Sequence, residues 1–277
     1  MKKSLLLLAI GAVFGGLLAI PALRSSRRPD TPLGRLRAKL GMEPETNVDW
    51  ERISLQKKYG PARQSQFLEE WIVRDFFHDQ RGGTFVDVGA AHYKVFSNTW
   101  YLEENLGWSG IAVDAQDSFR SGWETYRKRS RFVTAFVSDQ SNERARLFLS
   151  AGNPWVASGQ QAFTDAFSKS TGTVDVPTIT LNDLLDAAKM RTMDFLTMDI
   201  ELAEPKALAG FDIERFKPRL VCVEAQRAVR QQILDYFAAH HYAVVGKYLR
   251  VDRVNLWYMP TGTAVEPFTD VPVTSVQ

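Results

Sequence analysis

Among its 277 residues the chain has one cysteine, Cys222, and four histidines. A single cysteine cannot form an intrachain disulfide. Because Cys222 lies in the apolar run of residues 220–223, we interpret it as a core residue rather than a nucleophile. The lack of a His/Cys cluster argues against a zinc site. The net charge is only +2, so the composition predicts no nucleic-acid partner.

Phosphate-binding motifs are missing as well. The sequence contains neither GxxxxGK[ST] nor GxGxxG, and the turn that begins at Gly89 has no second glycine close behind it. A site for phosphate groups would use such glycines together with basic side chains. These absences argue against a P-loop enzyme and against an NAD-linked enzyme built on a similar half-fold.

Residues 1–23 contain a long apolar stretch, which runs from Leu5 to Leu23. As a helix, its roughly 19 residues would span about 28 Å, close to the hydrocarbon thickness of a bilayer. More basic residues follow the stretch than precede it, which favours a cytoplasmic position for the rest of the protein. We therefore predict a single-pass membrane anchor at residues 1–23 and a basic linker at residues 24–48. A cleaved signal peptide is the alternative, since Ala19 and Ala22 would permit cleavage.

The remainder of the chain alternates short apolar runs with helix-length segments. Buried strands are predicted at residues 84–88, 111–113, 131–137, 194–200 and 219–224, and residues 242–259 form a terminal hairpin pattern. This order predicts an α/β fold with a doubly wound sheet and an antiparallel C-terminal hairpin, in a domain of residues 49–262 with a tail of residues 263–277. Residues 150–175, rich in small polar side chains, are predicted to be a long irregular insertion.

Acidic side chains follow nearly every predicted strand, and ligands of parallel sheets bind beyond these carboxyl ends. Carboxylates suit a ligand that carries hydroxyl and amino groups rather than phosphates, which favours S-adenosyl-L-methionine. Asp114 is placed to accept hydrogen bonds from ribose hydroxyls. Asp87 and the backbone at Gly89 and Ala90 would face the methionine portion. The adenine edge would then meet Ser138 and Asp139.

Several segments resemble the FkbM-type methyltransferases in order and spacing: FVDVGA (85–90), FSNTWYLEENLGWSGIAVD (96–114), VPTITLNDLL (176–185), FLTMDIELAE (195–204) and RLVCVEAQ (219–226). The resemblance implies a class I methyltransferase (Rossmann-like) fold, S-adenosyl-L-methionine as cofactor, and O-methylation of a sugar, glycolipid or other natural product. By position it implies as cofactor neighbours Gln66, Asp87, Gly89, Ala90, Ser97, Asn98, Asp114, Ser138 and Asp139. It also implies an acceptor pocket lined by Asp199, Glu201, Glu204 and Glu224.

Two positions depart from the family pattern. The family's turn resembles GANDG, whereas residues 89–93 read GAAHY, and its DIEG motif corresponds here to DIEL, with Leu202 in place of glycine. Side chains other than glycine adopt positive φ only at a cost. We therefore expect the turn to follow another path or the site to be weakened. A catalytically inactive, membrane-tethered binding protein that retains the fold is the alternative function.

Methyl transfer to a hydroxyl benefits from a general base within hydrogen-bond reach. The candidates are Asp199 and Glu201, each close after a strand end, and His92, in the turn. Three carboxylates in one pocket could instead bind magnesium or calcium. No metal is included in the predicted site.

Overall fold

The computed structural model describes residues 48–265. The predicted anchor, nearly all of the linker and residues 266–277 of the predicted tail lie outside the described residues, so these assignments stay predictions. Within residues 48–265, no helix has both the length and the apolar character needed to cross a membrane.

Helices and strands alternate along most of the described chain. In order they are α1 (Val48–Tyr59), α2 (Glu69–Phe77), β1 (Thr84–Val88), α3 (Trp100–Leu106), β2 (Ser109–Asp114), α4 (Arg120–Tyr126), β3 (Ser130–Thr134), β4 (Phe136–Val137), β5 (Arg144–Leu149), α5 (Gln161–Phe167), β6 (Gly172–Ile179), α6 (Leu181–Ala187), β7 (Phe195–Met198), α7 (Glu204–Ala209), α8 (Ile213–Phe216), β8 (Leu220–Glu224), α9 (Arg230–Ala239), β9 (Tyr242–Val244) and β10 (Asn255–Pro260). Short 3₁₀ turns occupy Asp117–Phe119, Pro154–Val156 and Gly246–Tyr248.

The main sheet has seven strands in the order β3-β2-β1-β7-β8-β10-β9. Strands β3, β2, β1, β7 and β8 pair in parallel, while β10 pairs antiparallel with both β8 and β9. The structure therefore confirms the doubly wound α/β sheet that ends in an antiparallel hairpin. The hairpin's second strand, β10, inserts between β8 and the first strand, β9.

Both faces of the main sheet are covered, because successive side chains of a strand point to opposite faces. Phe85 of β1 packs in a cluster with Trp71 of α2 and Trp257 of β10. Val86 and Val88, its neighbours on the other face, pack with residues of α6 to α9. Cys222 is 1% exposed, which confirms its place in the core. With both faces occupied, a ligand cleft can form at the ends of the strands.

The insertion predicted at residues 150–175 is more regular than its sequence indicates. It contains the Pro154–Val156 turn, α5 and the start of β6, so the prediction of an irregular segment is wrong. Strand β6 pairs with β5 and β4 in a separate small sheet. Its first residues, Gly172–Asp175, are exposed and therefore lack the apolar alternation by which a strand is recognised.

The single strand predicted at residues 131–137 is divided into two. Strand β3 pairs with β2 of the main sheet, whereas β4 pairs with β6 of the small sheet. The chain changes sheets at Ala135, whose N–H donates to the carbonyl of Asp114 (3.0 Å). An apolar pattern continues through this change because both short strands are partly buried.

Candidate active site

A cleft that is partly open to solvent lies beyond the carboxyl ends of β1 and β7. Seven of the predicted site residues line it: Gln66, Asp87, Gly89, Ala90, Ser97, Asn98 and Asp199. The other lining residues are Val88, Ala91, Val95, Phe96, Trp155 and Thr197. The lining thus has two acids and no basic side chain, which suits a neutral or cationic ligand and disfavours a phosphate.

Gly89 is the residue at which β1 turns into the cleft. Its φ is +82°, and a Cβ placed there would lie 1.8 Å from the carbonyl oxygen of Asp199. Glycine is therefore required both by the backbone conformation and by the close approach of the two strand ends. This contact holds the turn after β1 against the end of β7, where Asp199 begins the acidic segment.

The turn at residues 89–93 lacks the family's second glycine, and a different residue adopts the left-handed conformation. Ala91 adopts φ +43°, whereas Tyr93, which stands at the glycine position, does not have a positive φ. The Ala91 N–H donates to Asp114 Oδ2 (2.9 Å), and Trp123 Nε1 donates to the Ala91 carbonyl (2.8 Å). The turn therefore follows its own path, fixed by bonds to β2 and α4.

The DIEL segment keeps a left-handed backbone despite its leucine. Glu201 and Leu202 have φ of +55° and +75°. Such conformations cost roughly 1–2 kcal/mol for a residue other than glycine. The hydroxyl of Ser158 donates to the Glu201 carbonyl (2.9 Å), and Ile200 N–H donates to Glu204 Oε1 (3.0 Å). The strained segment is thus held on both sides, next to the cleft.

Asp87 belongs to a buried network that crosses from β1 to α3 and α4. Its Oδ2 accepts a hydrogen bond from Thr99 Oγ1 (2.7 Å), and Arg127 Nη2 contacts the same hydroxyl (3.1 Å). Arg127, only 1% exposed, forms a 2.7 Å ion pair with Glu103 and donates to the carbonyl of Tyr93 (2.9 Å). Burial raises the pKa of Asp87 to about 6. Arg127 therefore fixes both ends of the loop that forms one wall of the cleft.

Asp114 lies behind the turn and does not line the cleft. Its two carboxylate oxygens accept hydrogen bonds from the backbone N–H groups of Ala91 (2.9 Å) and Gln116 (2.7 Å). Burial raises the pKa of Asp114 to about 6. Asp114 therefore fixes the turn, and its contact with a ribose stays a prediction.

Three other predicted site residues also lie off the cleft lining. Ser138 and Asp139 follow β4, where Asp139 is 3.5 Å from Lys206 of α7. His92 Nδ1 accepts hydrogen bonds from the N–H groups of Lys94 (3.1 Å) and Val95 (3.0 Å). In a neutral histidine the proton is then on Nε2, so neither ring nitrogen is a free base. Their predicted roles in binding and catalysis stay predictions.

Asp199, Glu201, Glu204 and Glu224, here called the acidic cluster, stand next to the cleft. Asp199, Glu201 and Glu224 each offer one carboxylate oxygen, and these oxygens lie within 4.8 Å of one another. Gln226 Nε2 donates to Glu201 (2.9 Å) and Glu224 (2.8 Å). Burial, followed by the charges of their neighbours, raises the pKa of both Asp199 and Glu201. Oxygen ligands at this spacing could hold one divalent cation.

Glu204 is the most deeply buried member of the acidic cluster, with no exposed surface. Its Oε1 accepts the Ile200 N–H, but its Oε2 has no hydrogen-bond partner, and burial raises its pKa to about 7. Within the described part of the chain, no lysine or arginine forms an ion pair with the cluster. The cluster therefore favours a cation nearby.

Some lining residues were not predicted from the sequence, among them Val95, Phe96 and Thr197. Asn98 Nδ2 donates to Thr197 Oγ1 (3.0 Å), and the Phe96 and Trp155 rings meet edge to face, 5.8 Å apart. Gln226, which bridges Glu201 and Glu224, was also missed. Phe96, Thr197 and Gln226 lie within segments that resemble the family, but these segments are far apart in the sequence, and the strand order brings them together.

The comparisons with known proteins bear on this site. A family profile described as "Methyltransferase FkbM domain" matches residues 87–244. A comparison with curated proteins found no match. The methyltransferase FkbM from Methylobacillus flagellatus KT is a structural neighbour with 15% identity and a TM-score of 0.43. The alignment covers 87% of this chain and 58% of the neighbour's length.

A second structural neighbour is a TehB-like SAM-dependent methyltransferase from Corynebacterium glutamicum, with 11% identity and a TM-score of 0.42. That alignment covers 76% of this chain and 95% of the neighbour. A SAM-dependent methyltransferase from Aquifex aeolicus has 14% identity and a TM-score of 0.38, covering 75% of this chain and 96% of the neighbour. The profile match spans more than half of the sequence and includes the end of β1, the Gly89 turn and the acidic cluster. This chain belongs to the FkbM methyltransferase family.

Proposed function

We propose that this protein transfers a methyl group from S-adenosyl-L-methionine to a hydroxyl of a sugar, glycolipid or other small molecule. The observation that carries the proposal is a cleft with acidic and neutral lining, beside an acidic cluster that forms no ion pair with a lysine or arginine of the described residues. That electrostatic setting suits a sulfonium and an ammonium group. Family membership supports the same reaction class.

The residues around the cleft fit this cofactor. Gly89, where a side chain would collide with the Asp199 backbone, lets the turn after β1 pack against the segment after β7, and both line the cleft. Gln66, Asn98 and Asp87 supply polar groups, while Phe96 and Trp155 supply an aromatic wall suited to a purine ring. S-adenosyl-L-methionine supplies an electrophilic methyl group, whose bond to sulfur breaks as the acceptor oxygen bonds to it.

Asp199 is the best candidate for the general base, because it alone of the acidic cluster lines the cleft. Burial, followed by the charge of Glu224 and a hydrogen bond to it, raises the pKa of Asp199. A positive charge in the cleft favours the ionised form of Asp199. Asp199 Oδ would then take the hydroxyl proton, and the remainder of the barrier reduction comes from holding two reactants together.

The test combines calorimetry with transfer of a labelled methyl group to lipid or glycan extracts. We expect the full chain to bind S-adenosyl-L-methionine and to label an acceptor. Asp199→Asn should abolish labelling and change the Kd for the cofactor by only a few-fold, since it keeps the shape of the side chain. Glu201→Gln is the second variant to test. Glu201 is the other candidate base in this segment, although its side chain does not line the cleft.

Two results would count against these assignments. If both single variants retain turnover, neither carboxyl group acts as the base. If millimolar S-adenosyl-L-methionine produces no heat with the wild-type chain, the proposed activity is wrong. In that case a non-catalytic binding protein is the better description.

A further inference from the structure

A second cleft, more open to solvent, adjoins the candidate cofactor cleft. It is lined by Val95, Phe96 and every residue from Pro61 to Gln66. Gln66, Val95 and Phe96 line both clefts. A molecule in the second cleft would therefore be separated from the cofactor only by these shared side chains. Direct transfer requires contact with the cofactor, so an acceptor held in the second cleft must extend its hydroxyl past these side chains into the first cleft, which Asp199 lines.

The wall of the second cleft is fixed by buried hydrogen bonds at the start of α2. The Gln64 N–H donates to Glu70 Oε2 (2.8 Å), and the Glu70 N–H donates to Ser65 Oγ (3.1 Å). Ser65 also forms a parallel β-bridge with Phe96. Since Ser65 and Glu70 are 5% and 1% exposed, the segment is anchored in the core before any ligand binds.

Arg63 is the only cation in this wall, and its hydrogen-bonding capacity is unused by the described residues. Its guanidinium lies 5.1 Å from the centre of the buried Trp71 ring, and its Nε has no hydrogen-bond partner. No carboxylate of residues 51–265 is within ion-pair distance of it. Burial lowers the pKa of Arg63. A half-buried arginine normally secures a planar acceptor for its donors.

The two acids closest in sequence do not fill this role. Both oxygens of Glu69 accept hydrogen bonds, from the Phe67 N–H (2.8 Å) and from Asn255 Nδ2 (3.1 Å). Glu70 Oε2 accepts the Gln64 N–H. These carboxylates are committed to holding the wall in place. The guanidinium lies over the Trp71 ring, and its Nη1 and Nη2 groups form no hydrogen bond with a described residue, so they remain as donors for a ligand in the cleft.

We infer that the second cleft binds the methyl acceptor, and that Arg63 pairs with an anionic group on it, a carboxylate, a phosphate or a sulfate. The inference rests on the proposed function, because it assigns the acceptor of that same reaction. It narrows the acceptor class to anionic hydroxyl compounds such as acidic or phosphorylated sugars. Arg63 is then a specificity-determining residue and takes no part in the proton transfer.

The test is calorimetry on the full chain, with S-adenosylhomocysteine present so that no turnover occurs. The probes are D-glucuronate and D-glucose 6-phosphate, with D-glucose as the uncharged comparison. We expect both anionic probes to bind more tightly than D-glucose. Arg63→Gln should weaken their binding at least about tenfold, the range for a lost charge-assisted hydrogen bond.

Arg191→Gln is the matched control, because Arg191 is exposed and precedes β7, at the end of that strand away from the clefts. It should bind the probes as the wild type does. Arg63→Lys keeps the charge but loses the planar fork, so its affinity should lie between those of wild type and Arg63→Gln. If circular dichroism shows that Arg63→Gln is unfolded, the Arg63→Lys comparison decides.

Three outcomes would overturn the inference: equal affinity of wild type and Arg63→Gln, equal affinity for glucose and the anionic probes, or no binding of the anionic probes. Inorganic phosphate that binds as tightly as D-glucose 6-phosphate would also overturn it, since the site would then recognise a free anion. A parallel titration with S-adenosyl-L-methionine separates the two proposals. Cofactor binding without probe binding rejects only the Arg63 subsite, whereas probe binding without cofactor binding rejects the methyltransferase activity.

Discussion

Buried acids stand on both sides of the candidate cofactor cleft, but the two sides compensate their charge differently. On the side of β2, Asp87 and Glu103 share a network with the buried guanidinium of Arg127. On the side of β8, the acidic cluster has Gln226 as a neutral donor and no ion-paired lysine or arginine among the described residues. The first arrangement stabilises the fold, whereas the second keeps negative charge available for a ligand.

The surroundings of the acids explain why the two sides affect stability differently. A buried carboxylate with a hydrogen-bonded arginine recovers much of its desolvation cost. Carboxyl groups without such a partner hold protons instead, which is why burial raises the pKa of Glu204 and Glu224 to about 7. The acidic cluster therefore lowers the stability of the ligand-free protein. A cation bound in the adjacent cleft would remove this cost. Each side can be altered separately, by substitution or by pH.

The largest effect should come from removing the guanidinium. Arg127→Gln leaves the buried Glu103 unpaired and removes the bonds to Thr99 and Tyr93. We expect a loss of about 3–5 kcal/mol in the free energy of unfolding, measured by urea denaturation. Arg120→Gln is the control, because its side chain is 36% exposed and should cost under about 1 kcal/mol. Similar losses of unfolding free energy in Arg127→Gln and Arg120→Gln would contradict the stabilising role of the buried guanidinium.

A smaller effect is expected from pH, acting on the acidic cluster. The folded pKa of Glu204, about 7, exceeds its ordinary value of 4.5, so the folded state binds more protons than the unfolded state. Stability without ligand should therefore fall as pH rises from about 4.5 through about 7, by up to about 3 kcal/mol for this group. Glu204→Gln should flatten this part of the pH profile.

Urea denaturation between pH 5 and pH 8 measures this dependence. The exposed Glu124 provides the matched substitution, Glu124→Gln, which should leave the profile unchanged. Wild-type stability that rises across the same interval would contradict the assignment of Glu204 as a protonated buried acid.

The smallest effect concerns the turn that connects the two sides. Ala91 has φ +43°, so Ala91→Gly should relieve strain and raise stability by about 0.5–1 kcal/mol after the entropic cost of glycine. Its neighbour Ala90 is 6% exposed and has no positive φ, so Ala90→Gly should instead lower stability by about 0.4–1 kcal/mol. Thermal denaturation of both variants would show it. Equal shifts of the same sign would mean that Ala91 is not strained.

The sequence predicted the sheet well because its parallel strands are short, apolar and separated by helices. Strand β1 was predicted with the bounds that the structure shows, and the position of Gly89 at its end followed from the same pattern. Asp87 and Gly89 could be named because they lie within one continuous βαβ segment, whereas Asn98 was named through the resemblance to the family. Periodicity and turn chemistry depend on neighbouring residues, so they can be recognised in a single sequence.

Pairings between distant segments were harder to predict. Strand β6 was missed because its exposed residues pair with β5 instead of entering the main sheet. Trp155 reaches the cleft from that same insertion, and Arg127 reaches Thr99 from a segment whose basic residues look like a solvated face. The orientation of such side chains depends on tertiary packing, and a charge in the sequence does not show whether it is buried.

The position of Cys222 has a practical consequence for following the dynamics of this protein. Its thiol lies in the middle of β8, between β7 and β10, and burial raises its pKa. A thiol reagent can reach it only after these strands separate. Since the chain has no other cysteine, the rate at which Cys222 is labelled measures how fast the sheet opens around β8. The same inertness leaves any cysteine introduced at the surface as the one reactive position for attaching a probe.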